Sequence, residues 1–379
     1  MSVSSLETLP EHFSSLEDPR ADGGKRHLLL DIVTIAVAAV VCGADSWVEV
    51  ELFGQTKQGW LTTFLELPHG IPSHGTFGRV FERLDPRQFH HCLLSWLTSV
   101  QVIAQDQVVA VDGKALRRSH DRMLGKSAIQ LVSAWATANH LVLGQEKVSQ
   151  KSNEITAIPH LLQALDITGC TVTADALHCQ ETMAEAIIKK EADYILAVKG
   201  NQKTLFAEIK DLFAYAHRTD FKDVSHDVYQ TVEKDHGRIE KRCCWTINEP
   251  DFLAYLRQYA DWSGLHTIVQ IQRERRVVGG RTKTTTHYYL TSLGNNAQTI
   301  LDAARSHWSI ENQLHWVLDV AFREDDCRVR KGHAAQNLAT LRRVALNLLK
   351  RETTAHCGTK AKRLKAALSE DYLLRVLSG

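Results

Sequence analysis

The chain has no CxxC pair among its eight cysteines, no P-loop or GxGxxG, no GxSxG elbow, and no net charge beyond +1 over 379 residues. Each absence excludes something. Cysteines scattered at 42, 92, 170, 179, 243, 244, 327 and 357 suit free thiols better than a disulfide framework, and disfavour a zinc ribbon. Nucleotide-hydrolysing and dinucleotide-binding readings have no support, and a serine-hydrolase elbow is absent. The near-neutral total announces no polyanion partner, so any such signal must come from local clustering. The longest apolar run, Leu28 to Cys42, is interrupted by Asp31. That is short of the ~20 residues a bilayer span needs and reads as a buried core helix. The N-terminus carries no basic segment followed by an apolar stretch, so a cytoplasmic protein is expected. With 44% hydrophobic and 23% charged residues, the composition is that of a globular chain with a substantial core.

Periodicity divides the sequence. Residues 1–100 read as helical, with helices at Asp31–Val41, Trp47–Phe53 and Gln88–Val100. Between them a loop from Leu67 leads to Ser73, an N-cap candidate for a helix bearing Arg79 and Arg83. That basic helix could enter a DNA groove or be a solvated face of a packing domain. From Val108 strands and helices alternate. Strands are expected at 108–112, 128–137, 140–149, 170–174 and 194–198, and helices at 155–165 and 180–190. This pattern predicts a mixed sheet covered by helices. Residues 201–295 then interrupt the 101–200 core with four further strands, Val277–Gly280 forming a hairpin turn. A continuous helix is expected from Asn296 through Glu311 towards Asp319, and 333–377 is helical with a weak break at Cys357–Gly358.

Three acids stand out. Val108–Val111 runs into Asp112, Cys170–Ala174 delivers Asp175, and Glu311 lies in His307-Trp308-Ser309-Ile310-Glu311-Asn312-Gln313-Leu314-His315-Trp316. A carboxylate at the mouth of a buried strand is costly unless something positive meets it. Three that converge can hold paired Mg²⁺ ions for phosphodiester chemistry. On a helix His307, Glu311, His315 and Asp319 share one stripe, with Ile310, Leu314, Val317 and Val320 on the apolar side. The spacing is not the HExxH of zinc proteases. Glu154 and the triplet Glu324-Asp325-Asp326 compete as ligands, or are a helix-start acid and loop surface. Three basic clusters could meet phosphate: Lys114, Arg117 and Arg118; the hairpin of Arg273, Arg275, Arg276, Arg281 and Lys283; and Arg328–Lys365, with eleven Lys or Arg against Glu352 alone.

The linked motifs Phe13-x4-Asp18-Pro19-Arg20, Gly70-Ile71-Pro72-Ser73-His74, Val111-Asp112-Gly113-Lys114, Lys151-Ser152-Asn153-Glu154-Ile155, Thr173-Ala174-Asp175-Ala176, Ala197-Val198-Lys199-Gly200-Asn201-Gln202, His236-Gly237-Arg238, His307-Trp308-x-Ile310-Glu311-Asn312, Leu314-His315-Trp316-x-Leu318-Asp319-Val320 and Glu324-Asp325-Asp326-Cys327 cover nearly the whole chain. In that order they resemble the DDE transposases of bacterial insertion sequences, close to the H-repeat-associated group found beside Rhs elements. The resemblance implies a ribonuclease-H-like α/β fold, with a helical transposase-associated region at 1–100, the core at 101–200, a β-rich insertion at 201–295 and the core resumed at 296–379. It implies that Asp112, Asp175 and Glu311 bind two Mg²⁺ (or Mn²⁺) ions, backed by His307, His315 and Asn312. DNA contacts would fall to Lys114, Arg117, Lys199, Arg238, Arg273, Arg275, Arg281, Arg305, Arg328 and Arg330. Double-stranded DNA would be the substrate, both as terminal inverted repeats and as target, and a homodimer would form during synapsis. A DNA-binding remnant without catalysis, or a nuclease for other structured nucleic acids, is the alternative. The related Tyr/Arg/Glu/Lys signature is broken here, because His307 and Leu318 stand where its Arg and Lys would be, leaving Arg305 or Arg328 to supply those contacts.

Overall fold

A computed structural model describes residues 11–98, 107–120, 127–148, 154–235, 237–277 and 279–378. Met1–Glu7, the 100/101 boundary, Lys151-Ser152-Asn153, His236 and Val278 lie outside the described residues.

The N-terminal helices are α1 (Leu29–Val41), α2 (Trp47–Thr56), α3 (His74–Arg83) and α4 (Pro86–Thr98). In α1 the charge inside the apolar run is satisfied, since buried Asp31 accepts a hydrogen bond from the Leu67 amide at 3.0 Å. Ser73 caps α3 through the Thr76 amide at 3.3 Å, as its residue type predicts. Arg79 and Arg83 are exposed on that helix, while Trp47 stacks on Phe81 behind them.

Strands β1 (Val108–Leu116), β2 (Ile129–Ala136) and β3 (Leu141–Lys147) form an antiparallel meander, followed by α5 (Glu154–Gln163), β4 (Thr171–Ala174), α6 (Glu181–Ile188), β5 (Asp193–Val198) and α7 (Lys203–Arg218). The β-rich segment adds β6 (His226–Asp235), β7 (Arg238–Ile247), α8 (Pro250–Arg257), β8 (Thr267–Val277) and β9 (Thr282–Thr291). These inserted strands extend the core sheet from β5 outward. One nine-stranded mixed sheet runs β3-β2-β1-β4-β5-β9-β8-β7-β6, with β4 parallel to both β1 and β5 and with β9 antiparallel to β5. The meander beside parallel strands is the ribonuclease-H-like order.

One face of the sheet buries Val109, Val111, Val172 and Leu196 against α5, α6, α7 and α8. On the other face α9 (Ala297–Ser306) lays Ile300, Leu301 and Ala304 on Ile195, Cys244 and Val269. Beyond it come a π-helical turn (Ile310–His315), α10 (Trp316–Phe322), α11 (Ala334–Arg351), α12 (Thr359–Leu368) and α13 (Glu370–Ser378). The N-terminal helices do not close a core of their own. Ile35, Phe77 and Phe89 share one apolar cluster with Leu341, Leu348, Phe322, Leu314 and Trp135. Gly332 makes one of these junctions possible: at φ +49°, a Cβ there would lie 2.4 Å from the Glu82 carbonyl.

The expected helix from Asn296 to Asp319 is broken. α9 ends at Ser306, His307 and Trp308 form a turn, and then comes an i→i+5 turn in which the Trp316 amide bonds the Glu311 carbonyl. The extra residue rotates α10 relative to α9, so Val320 is 48% exposed and Leu318 takes the core position expected of it.

Candidate metal centre and arginine groove

Parallel pairing of β1 with β4 ends at Val111 opposite Ala174. Asp112 and Asp175 are therefore the next residues on two adjacent strands. β1 itself does not stop at Asp112, as expected from sequence. It continues to Leu116 because Asp112 to Leu116 keep pairing with β2, Asp112 opposite Ser133. Asp175 ends β4 and accepts the Leu177 amide at 3.1 Å, capping a short 3₁₀ turn whose buried His178 lies 3.6 Å from its carboxylate. Burial pushes the His178 imidazole down, partly offset by Asp175.

Glu311 reaches this corner from the π-turn, which is seated by apolar contact. Ile310 and Leu314 pack in one cluster with Ala110 and Trp135, and the Trp135 indole donates to Ser309 at 3.0 Å. Oε2 of Glu311 is 3.1 Å from Nδ1 of buried His315, and that nitrogen is 3.6 Å from Oδ2 of Asp112. Asp112, Glu311 and His315 each offer one ligand atom, all within 4.8 Å of one another. Asp175 joins Asp112 and Glu311 in lining a cavity of about 310 Å³, with Lys199, His287, Tyr289, His307 and Trp308 on its other walls. His307 bonds Thr173 Oγ1 at 3.0 Å, and loss of solvent around its ring pushes its pKa down to about 4.

Two carboxylates and an imidazole at this separation fit a divalent ion that accepts oxygen and nitrogen ligands, while Asp175 lines the same cavity outside that close group. Two of the expected backing residues thus touch the acids or the strand beside them. Asn312 does not: it bonds the Trp308 carbonyl at 3.1 Å and faces a neighbouring groove.

That groove, about 360 Å³, shares His287, Tyr289, Ala304 and Trp308 with the acid cavity and is lined by Arg238, Arg242, Arg273 and Arg305. Buried Glu240 gathers the cations, with Arg273 at 2.7 Å, Arg238 at 3.1 Å, Arg275 at 3.9 Å and Arg242 also in contact. Arg305 pairs with Glu233 at 2.6 Å. Arg242 was not among the expected DNA contacts. Its alternation with Arg238 and Glu240 along β7 is the signal that places it here.

Lys199, Arg281, Arg328 and Arg330 are exposed, as is Arg117, whose guanidinium is 3.1 Å from Asp325. The expectation for Lys114 is corrected. Its ammonium is buried among Asp319, Glu324 and Asp325 and is not presented to solvent. The basic run Arg328–Lys365 is also partly internal, since Arg342, Arg343 and Arg363 are buried. Glu154 opens α5.

An acid-lined corner on a ribonuclease-H-like sheet is the arrangement of the DDE transposase family, and the chain belongs to that family: residues 103–348 match the Transposase DDE domain and residues 10–97 match the DDE_Tnp_1-associated family. Among its relatives, the Escherichia coli K12 protein named "H repeat-associated putative transposase YhhI" is 38% identical over 99% of this chain and 98% of that one. The E. coli O157:H7 protein named "Putative transposase YncI" is 37% identical over 99% of this chain and 95% of its own length. Among the described residues no helix is long and apolar enough to cross a membrane.

Proposed function

We propose that this chain cuts DNA at the ends of its own element and joins the freed end to target DNA, using Asp112, Asp175 and Glu311. One observation carries the reading: the Asp112 and Glu311 carboxylates, from β1 and from a turn far along the chain, come within ligand distance of a common point. Asp175 stands on the adjoining strand end.

Asp112, Glu311 and Asp175 would hold Mg²⁺ or Mn²⁺, two ions in the filled site. When bound, such ions lower the pKa of water and neutralise charge on a leaving oxygen. The chain's own residues do the rest. Glu311 is aimed by its bond to His315, and Asp112 is held in register by its pairing with Ser133 of β2, one residue beyond the β1–β4 ladder. The Arg238, Arg242, Arg273 and Arg305 groove lies against the cavity wall, where guanidinium groups can fix the phosphates flanking the cut. Arg117, Lys199, Arg275, Arg281, Arg328 and Arg330 extend the basic surface, and residues 1–100 contribute exposed Arg79 and Arg83. Double-stranded terminal repeats and target DNA are the substrates, a dimer pairs the two ends, and the reaction takes place in the cytoplasm on nucleoid DNA.

Asp112→Asn tests the reading on DNA carrying the element's inverted repeats. Nicking with Mg²⁺ or Mn²⁺ is expected of the parent and not of the variant, while gel-shift binding is retained or tightened. Nicking by the variant at the parent's rate removes the assignment. A parent that binds and never nicks is instead a DNA-binding remnant.

A further inference from the structure

Lys114 lies two residues beyond Asp112, so both side chains project from the same face of β1. That face is covered by the turn and helix that carry Glu311. The Lys114 ammonium donates to the carbonyl of His315 at 3.4 Å and contacts the Asp319 carboxylate. Behind these, Glu324 lies 3.4 Å away and Asp325 4.0 Å away. Glu324 is fully buried and accepts a hydrogen bond from Arg343 at 2.8 Å, and Arg343 Nε is 3.4 Å from Ser133 Oγ. Ser133 is the cross-strand partner of Asp112. The chain of contacts therefore closes on itself, from the Asp112 strand through Lys114 to the Glu311 segment and back through Glu324 and Arg343 to the strand beside Asp112. The sequence motifs Asp112-Gly113-Lys114 and Glu324-Asp325-Asp326 meet in it.

We propose that Lys114 is a positioning residue, whose buried ammonium fixes the Glu311 turn against β1 at the separation that lets Asp112 and Glu311 grip one divalent ion. This rests on the metal reading of the acid site. The Glu324-Asp325-Asp326 triplet serves the same joint. Glu324 anchors Lys114 from beneath, Asp325 ties in Arg117 at 3.1 Å and Asp326 ties in Arg118 at 3.5 Å. Other roles for Lys114 predict different signs. A phosphate contact would leave ion binding untouched. A cation acting only through space repels the metal, so its removal would tighten ion binding.

The test is a Mn²⁺ titration monitored by electron paramagnetic resonance, on the full chain without DNA, with thermal melting on the same samples. Lys114→Met is expected to weaken Mn²⁺ binding by about 10- to 100-fold, the range lost when the groups that orient metal ligands are removed. Arg363→Met, which removes a buried cation that meets Val40, Asp45, Ala321 and Phe322 and not Lys114 or the Glu311 turn, is expected to lower the melting temperature and leave Mn²⁺ affinity unchanged. Where Lys114→Met fails to fold, Lys114→Met with Asp319→Leu replaces the ion pair by an apolar contact, leaves Glu324 with Arg343, and is expected to weaken Mn²⁺ binding without changing the local net charge. Affinity within twofold of the parent, or tighter, in the folded variant overturns the proposal while leaving the metal reading standing. A parent that binds no Mn²⁺ overturns both.

Discussion

Nδ1 of His315 lies 3.1 Å from Glu311 and 3.6 Å from Asp112, so one buried ring stands between two carboxylates carried by different elements. Burial pushes this imidazole down, with the Glu311 bond opposing, which keeps it uncharged near neutral pH. An uncharged ring can orient a carboxylate or offer a nitrogen to an ion, and does not compete with that ion by charge. His315→Gln is therefore expected to cost about 10- to 100-fold in Mn²⁺ affinity. Isothermal titration would measure it, and a change below twofold would show that the contact is incidental.

The arginine groove predicts a salt signature. Each phosphate contact contributes roughly 0.9 to the slope of log affinity against log salt. Arg273→Ala with Arg305→Ala should flatten that slope by about two and weaken binding to all DNA sequences alike. Equal slopes for parent and variant would place the DNA elsewhere.

Acid should destabilise the fold through two buried histidines. His90 accepts from the Gln145 amide at 3.3 Å, and loss of solvation pushes its pKa down to about 4, as it does for His307. An unfolded histidine takes up its proton near 6.5, so between pH 6.5 and 4 the unfolded chain binds more protons. The stabilisation is complete above 6.5 and is lost as pH falls towards 4, by up to ~1.4 kcal/mol per pH unit for each ring. Urea midpoints measured from pH 7 to 4.5 should decline in the parent and decline less in His90→Gln.

Arg363 is a structural cation. Its guanidinium donates to the Val40 carbonyl at 3.0 and 3.2 Å and to Ala321, lies 3.3 Å from Asp45, and stacks 4.2 Å over Phe322. It joins the end of α1 to α10 and α12. Arg363→Met takes this partner from the Ala321 carbonyl and the Asp45 carboxylate and should cost roughly 3 kcal/mol or more. Chemical denaturation would read this, and a loss under ~1 kcal/mol would refute the clamp.

The strand and helix framework was legible in the sequence because it depends on local pattern. β2 falls within a residue of the strand expected at 128–137, and Ser73 caps the helix it should. Asp112 and Asp175 were found because a charge ending an apolar run is visible without the fold. The features that stayed hidden depend on partners distant in sequence. Asp112–Leu116 looks like a strand end followed by a loop, and only pairing with β2 continues it. The π-turn at Ile310–His315 has no composition of its own, so the pattern predicts a continuous helix across the break. Lys114 and Arg343 resemble surface cations until Glu324 is brought to them. The shared core of both chain ends has no local signature at all.

That shared core has a consequence for synthesis. α1 packs along α11, and β5 waits for β9 to complete its ladder. While the ribosome is still extending the chain, the apolar cluster of Ile35, Phe77 and Phe89 lacks the part of its cover that Leu341 and Leu348 provide. A nascent or prematurely terminated polypeptide therefore presents a sticky surface, which leaves it open to aggregation and proteolysis. The amount of active protein in a cell is then set partly by how often translation reaches the last helices.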